Sequence, residues 1–147
     1  MLVRRERVVP AAPAEVWGVV SDPTRLAAWW PGVSRVEEAS REAWTTVLVS
    51  KTGKSVRADY SLVEAEEPDR VTWRHEVAAS PFERLLREST TEIALEPESS
   101  GGTKVRLTLN QRPRGWARFS PFQLRAAAHR QAESALEGLA ALFGDEG

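Results

Sequence analysis

Residues Val9–Val33 read VPAAPAEVWGVVSDPTRLAAWWPGV, and the prolines at 10, 13, 23 and 31 cut the stretch into short pieces. Upstream, Met1–Ala11 alternates loosely and is rich in valine, so it reads as a strand that Pro10 and Pro13 end. Pro13 suits a first helical position, and Val16, Val19 and Val20 share a face, which predicts a short helix within Ala12–Pro23. Asp22-Pro23 stops that helix. Asp22 then serves as the N-cap of a second short helix over Asp22–Trp30, and Pro31-Gly32 terminates it. The chain has six tryptophans in 147 residues, and two of them, Trp29 and Trp30, are adjacent. Burying an indole removes roughly 150–250 Å² from water. Trp17, beside Val16 in mid-helix, reads as core. Two neighbours on a helix cannot share an orientation. Trp29 is therefore read as a structural plug, and Trp30 is left to line an interior space or its mouth.

After Gly32 the period changes from helical to two. Strands are expected at VSRVEEA (33–39), AWTTVLVSK (43–51), SVRADYSLVEA (55–65), RVTWRHEV (70–77), LLRESTTEIALEP (85–97) and TKVRLTLNQR (103–112). One face of these strands carries Val56, Ala58, Tyr60 and Leu62, then Val71, Trp73, His75 and Val77. It continues through Ser89, Thr91, Ile93 and Leu95, and through Val105, Leu107, Leu109 and Gln111. The last two strands form a hairpin through ESSGG. The register that sets Leu95 against Val105 and Ile93 against Leu107 also sets Glu96 against Lys104 and leaves Glu92 diagonal to Arg106. From Ser120 to Phe143 the pattern turns helical, with Phe122, Arg125, His129, Ala132, Leu136, Leu139, Ala140 and Phe143 as the stripe and Gly144 as the C′ residue.

Length and pattern fit one domain over residues 1–147, with no internal repeat or low-complexity tract. A net charge of −1 gives no global field that would attract nucleic acid. The absence of cysteine excludes disulfides and thiolate chemistry. No apolar run approaches the length of a membrane span, and the N-terminus lacks the apolar core of a signal peptide, so a cytoplasmic protein is expected.

The order of strand, two short helices, a run of antiparallel strands and one long C-terminal helix resembles the START/Bet v 1-like superfamily, also called SRPBCC. The opening VPAAPAEVWGVVSDPTRLAAWWPGV is similar to the signature of its bacterial polyketide cyclase/dehydrase and lipid transport branch. The resemblance covers essentially the whole chain. It implies an α+β helix-grip fold, in which a curved antiparallel β-sheet wraps a long C-terminal α-helix, two short helices follow the first strand, and a cavity lies between sheet and helix. Such folds host carriers, sensors and enzymes, so the resemblance alone does not choose among them.

In a grip fold the inner faces of the strands and the helix stripe look into the cavity. That makes Trp30, Tyr60, Trp73, His75, Ser89, Thr91, Gln111, Arg125 and His129 candidate ligand-binding residues, an apolar lining with a few polar anchors. His75 and His129 are the two histidines. A histidine on an apolar face is commonly a satisfied core residue, but two aimed at one cavity suggest a ligand carbonyl or carboxylate as partner. The loop RPRGWARF joins the last strand to the long helix and is expected to form one lip of the entrance, with Trp116 or Phe119 partly exposed, and Trp116 is a further candidate ligand-binding residue.

No nucleotide loop, zinc-protease motif or nucleophile elbow is present, and the two histidines are too far apart in sequence for a local metal motif. No catalytic residue, cofactor or metal is therefore assigned. The expected function is binding or transport of a small hydrophobic, lipid- or polyketide-like ligand. Two alternatives are a polyketide aromatase/cyclase or dehydratase working through Tyr60, His75, Arg125 and His129, and a stress- or toxin-type protein-interaction module. From Ser99 to Ala132 the chain carries Lys104, Arg106, Arg112, Arg114, Arg118, Arg125 and Arg130 and no acid. Pairing with the acidic preceding strand accounts for the first two. The others are either solvated surface or a patch that steers an acidic ligand or touches an anionic lipid surface.

Overall fold

A computed structural model describes residues 1–78, 80–115 and 121–145. Seven strands, β1 (Leu2–Val9), β2 (Val33–Glu37), β3 (Ala43–Val49), β4 (Ser55–Glu66), β5 (Arg70–His75), β6 (Leu86–Pro97) and β7 (Thr103–Pro113), form one antiparallel sheet in the order β1-β7-β6-β5-β4-β3-β2. Between β1 and β2 lie α1 (Pro13–Val20), a 3₁₀ turn (Pro23–Arg25) and α2 (Leu26–Trp29), and α3 (Pro121–Leu142) closes the chain. This is the helix-grip architecture. No helix among the described residues is long and apolar enough to cross a membrane.

The short helices form and end for local reasons. Pro13 occupies the first turn of α1, and Ser21 closes it by donating its hydroxyl to the Trp17 carbonyl at 2.6 Å. The expected second helix is split. The Asp22 carboxylate accepts from the Thr24 amide at 3.0 Å and from its hydroxyl at 2.6 Å, which holds a 3₁₀ turn, and only Leu26–Trp29 is α-helical. Trp30 precedes a proline, and proline disfavours the helical conformation in the residue before it. Its backbone is accordingly extended, at φ −80° and ψ 130°.

With that change of backbone the two adjacent indoles take different settings while their rings stay in edge-to-face contact. Trp29 sits in the core at 4% exposure beside Trp17, Val16 and Val20, while Trp30 packs at the core's margin.

The β6–β7 register is as expected, with Leu95 opposite Val105, Ile93 opposite Leu107 and Glu96 opposite Lys104. The charge partners are different. Lys104 and Arg106 meet Glu6 of β1 at 3.7 and 3.2 Å, because β1 pairs the other edge of β7 and sets Glu6 opposite Arg106.

The long helix departs from its expected stripe in the N-terminal half. Its buried residues are Ala128, Ala132, Ala135, Leu136, Leu139 and Ala140, and Phe122 is 85% exposed. The face toward the cavity is thus turned by about one residue from the line through Arg125 and His129. Small side chains explain the turn. α3 packs on β1, β7 and α2, and the backbones of α2 and α3 come so close that a Cβ on Gly138 would lie 2.4 Å from the Trp29 carbonyl oxygen. Alanine and glycine permit that approach, and they give a weaker sequence signal than phenylalanine or histidine.

Candidate ligand cavity

Between the sheet, α2 and the N-terminal half of α3 lies a cavity of about 140 Å³. Its wall is built by cross-strand register. Trp44 on β3 faces Tyr60 on β4, which faces His75 on β5, and one step along, Leu62 faces Trp73, which faces Thr91 on β6. These pairs share the inner face because side chains alternate along each strand. The rings touch in a continuous chain. Trp29 meets Trp30 edge to face at 5.4 Å between centroids, and Trp30 meets Trp73 at 5.9 Å. Trp73 meets Trp44 at 5.9 Å, and Trp44 stacks on Tyr60 at 6.1 Å. Tyr60 stacks on His75 at 4.8 Å, and His75 meets the edge of Phe82 at 4.8 Å. Pairs of this geometry add about 0.5–1.5 kcal/mol each beyond the area they bury. From Trp30 to Phe82, every ring in the chain lines the cavity.

Ser89, Thr91 and Gln111 line the same space, so seven of the candidate residues, Trp30, Tyr60, Trp73, His75, Ser89, Thr91 and Gln111, lie around one cavity. Arg125 and His129 do not. His129 Nδ1 accepts from Arg5 Nε at 3.1 Å, Arg5 also pairs with Glu133 at 2.9 Å, and the Arg125 guanidinium donates to the Leu2 carbonyl at 3.4 Å. Both side chains therefore tie α3 to β1, as the one-residue rotation of the helix requires, and Gln131 takes their place at the cavity. Trp116, with Arg118 and Phe119 of the expected lip, lies outside the described residues. The adjoining part of that loop is fixed by the Arg114 amide, which donates to the Leu85 carbonyl at 2.8 Å.

No Asp, Glu, Lys or Arg is among the described residues that line the cavity. Its two titratable groups are held neutral near pH 7. Burial pushes the Tyr60 phenol up to about 12, against a smaller opposing effect of its hydrogen bond with Thr46. Burial also lowers His75 below its ordinary value, although the charges of Asp59 and Glu76 oppose the shift. Three buried ring nitrogens, Trp29 Nε1, Trp44 Nε1 and His75 Nε2, have no hydrogen-bond partner among the described residues, and each is closed off from water. A cavity with an aromatic, uncharged lining suits a neutral guest. Among the described residues, no three His, Asp or Glu side chains gather to hold a metal ion.

The depressed His75 pKa has a consequence for stability. The unfolded histidine takes up a proton near its ordinary value of 6.5, whereas the folded one resists until lower pH. Stability attributable to His75 is therefore intact above that value and declines as the pH falls through it toward the folded pKa. Glu37 and Glu76, both held low by arginine or serine partners, add their own losses only below about 4.5. Urea unfolding at pH 7.5 and 5.5 should show a loss at the lower pH that His75→Gln reduces. An unchanged loss in the variant would reject this account.

A sequence model of the family described as polyketide cyclase / dehydrase and lipid transport matches residues 2–144. The chain belongs to this family. The sequence matches no curated protein. Among solved structures, a START superfamily protein from Mycobacterium smegmatis superposes with a TM-score of 0.77 at 12% identity, over 97% of this chain and 96% of that one. A protein from Thermus thermophilus gives 0.76 at 24% identity over 96% and 95%. The protein XoxI from Bacillus cereus gives 0.77 at 14% identity over 98% and 96%. These likenesses show that the chain shares the fold of these proteins over 96–98% of its length.

Several residues of the cavity were not singled out from the sequence. Trp44 had a usable signal, since a β3–β4 pairing that sets it opposite Tyr60 puts it on the inner face. Gln131 required the correct phase of α3. Phe82 lies in the turns between β5 and β6, where no periodicity marks an inward residue. Its amide donates to the Ser80 hydroxyl at 3.2 Å, a contact that helps set its place against His75.

Proposed function

We propose that this family member binds a neutral hydrophobic small molecule through a ring-sized portion that enters the aromatic cavity. The carrying observation is a cavity lined by aromatic side chains with no Asp, Glu, Lys or Arg among the described residues of its wall. The size is about right for one ring, since an apolar cavity of roughly 150 Å³ accommodates benzene. The expected preference for an acidic ligand gives way to a neutral one in this reading. With Arg125 and His129 engaged against β1, an ionised carboxylate in the cavity would lack a countercharge among the described residues that line it, and burying it would be costly.

Titration calorimetry with methyl para-hydroxybenzoate and with the para-hydroxybenzoate anion tests the reading. The neutral ester should bind at least about tenfold more tightly than the anion. Equal or tighter binding of the anion, or no binding of the ester, would overturn it.

The enzyme alternative draws on one observation, that His75 is neutral and stacks on Tyr60. A neutral imidazole can accept a proton from a bound keto compound. It predicts turnover of a poly-β-ketone that His75→Phe abolishes. Binding without turnover leaves the carrier reading.

A further inference from the structure

A second apolar space adjoins the cavity. A groove of about 500 Å³ runs over the outside between the N-terminal half of α3 and the residues that lead into β6. Leu85, Leu124 and Ala127 give it an apolar wall, and three residues, Leu86, Gln111 and Gln131, line both the groove and the cavity. These shared residues mark a threshold. Gln111 comes from the end of β7 and Gln131 from α3, so two residues with primary amides, from different elements, border both the ring-lined space and the outer groove. Each amide offers both a donor and an acceptor. Leu85 is 39% exposed and Ala127 is exposed, so apolar surface is left uncovered along the groove.

Resting on the cavity reading above, we infer that the ligand has two parts: a ring held inside, and an alkyl extension laid along the Leu85–Leu124–Ala127 groove. The two are joined by a carbonyl-bearing link that accepts a hydrogen bond from Gln111 or Gln131. Continuity through the shared residues carries the inference. A molecule that passes from the cavity into the groove runs beside these shared residues and then meets the apolar wall. The amides favour a neutral ester, amide or ketone at the crossing. A hydrocarbon there would bury unpaired amide groups.

The test is the series of n-alkyl para-hydroxybenzoates from methyl to hexyl, followed by titration calorimetry. Each added methylene should tighten binding about twofold to fourfold, the range expected for partial to full burial of a methylene. Ala127→Trp, which fills the groove from an exposed helix position, should flatten that dependence. Val63→Ser, at an exposed site outside both spaces, should leave it in place. Wild-type protein should also prefer the esters to para-alkoxyphenols of equal chain length, and the double variant Gln111→Leu, Gln131→Leu should erase the preference. If the methyl ester binds but affinity is flat along the series, the groove inference fails and the cavity reading stands. If chain dependence persists undiminished in Ala127→Trp, the groove inference also fails. If no member binds, both fail.

Discussion

Truncating Trp73 to alanine should lower the free energy of unfolding by about 3–5 kcal/mol, the range for removing a large aromatic from a core. The indole is 4% exposed and touches both Trp30 and Trp44, and its strand neighbours Leu62 and Thr91 flank it on either side. An existing cavity lies against it, so the wall has little reason to collapse into the vacated space, and the loss should fall in the upper part of that range. Denaturant unfolding should show a lower midpoint with an unchanged slope, and Trp73→Phe, which keeps a ring, should lose clearly less. A loss below about 1 kcal/mol would mean that Trp73 is not packed as described.

Gly138→Ala should also destabilise, by about 1–3 kcal/mol, although alanine is the better helix former by roughly 0.8–1.0 kcal/mol. The added methyl would lie 2.4 Å from the Trp29 carbonyl oxygen and 3.2 Å from its carbon. Both are backbone atoms and cannot rotate aside, so α2 and α3 must separate and the Trp29 plug must shift. Gly18 provides the contrast, because a Cβ there has nothing within 4 Å, and Gly18→Ala should stabilise by up to about 1 kcal/mol. Thermal melts of the two single variants check the sign. A similar gain at both sites would rule out the close approach.

The fold was legible because its signals are local and repeated. Four prolines punctuate Val9–Val33, and period-two alternation along β4 to β7 puts Tyr60, Trp73, His75, Ser89, Thr91 and Gln111 on one face whatever the details of curvature. The phase of α3 was harder to read. Its N-terminal half is held by alanines, and their small side chains let the larger Arg125 and His129 suggest a face that in fact meets β1. The pairing of Glu6 with Lys104 and Arg106 needed the knowledge that the first strand lies beside the last. That is a contact across most of the chain, and no short-range pattern carries it. Phe82 depended on the path of a turn segment, for which sequence periodicity offers no guide.

The chain of rings also makes the protein its own optical reporter. Trp29, Trp30, Trp73 and Trp44 follow one another with centroids 5.4, 5.9 and 5.9 Å apart, a spacing at which excitation migrates readily between like chromophores. Light absorbed by the buried plug can thus be emitted from an indole at the cavity wall. A guest in contact with any one of Trp30, Trp73 or Trp44 would alter the emission of all four together, and the coupled indoles should give a near-ultraviolet circular dichroism band that collapses when Trp73 is removed from the middle of the series.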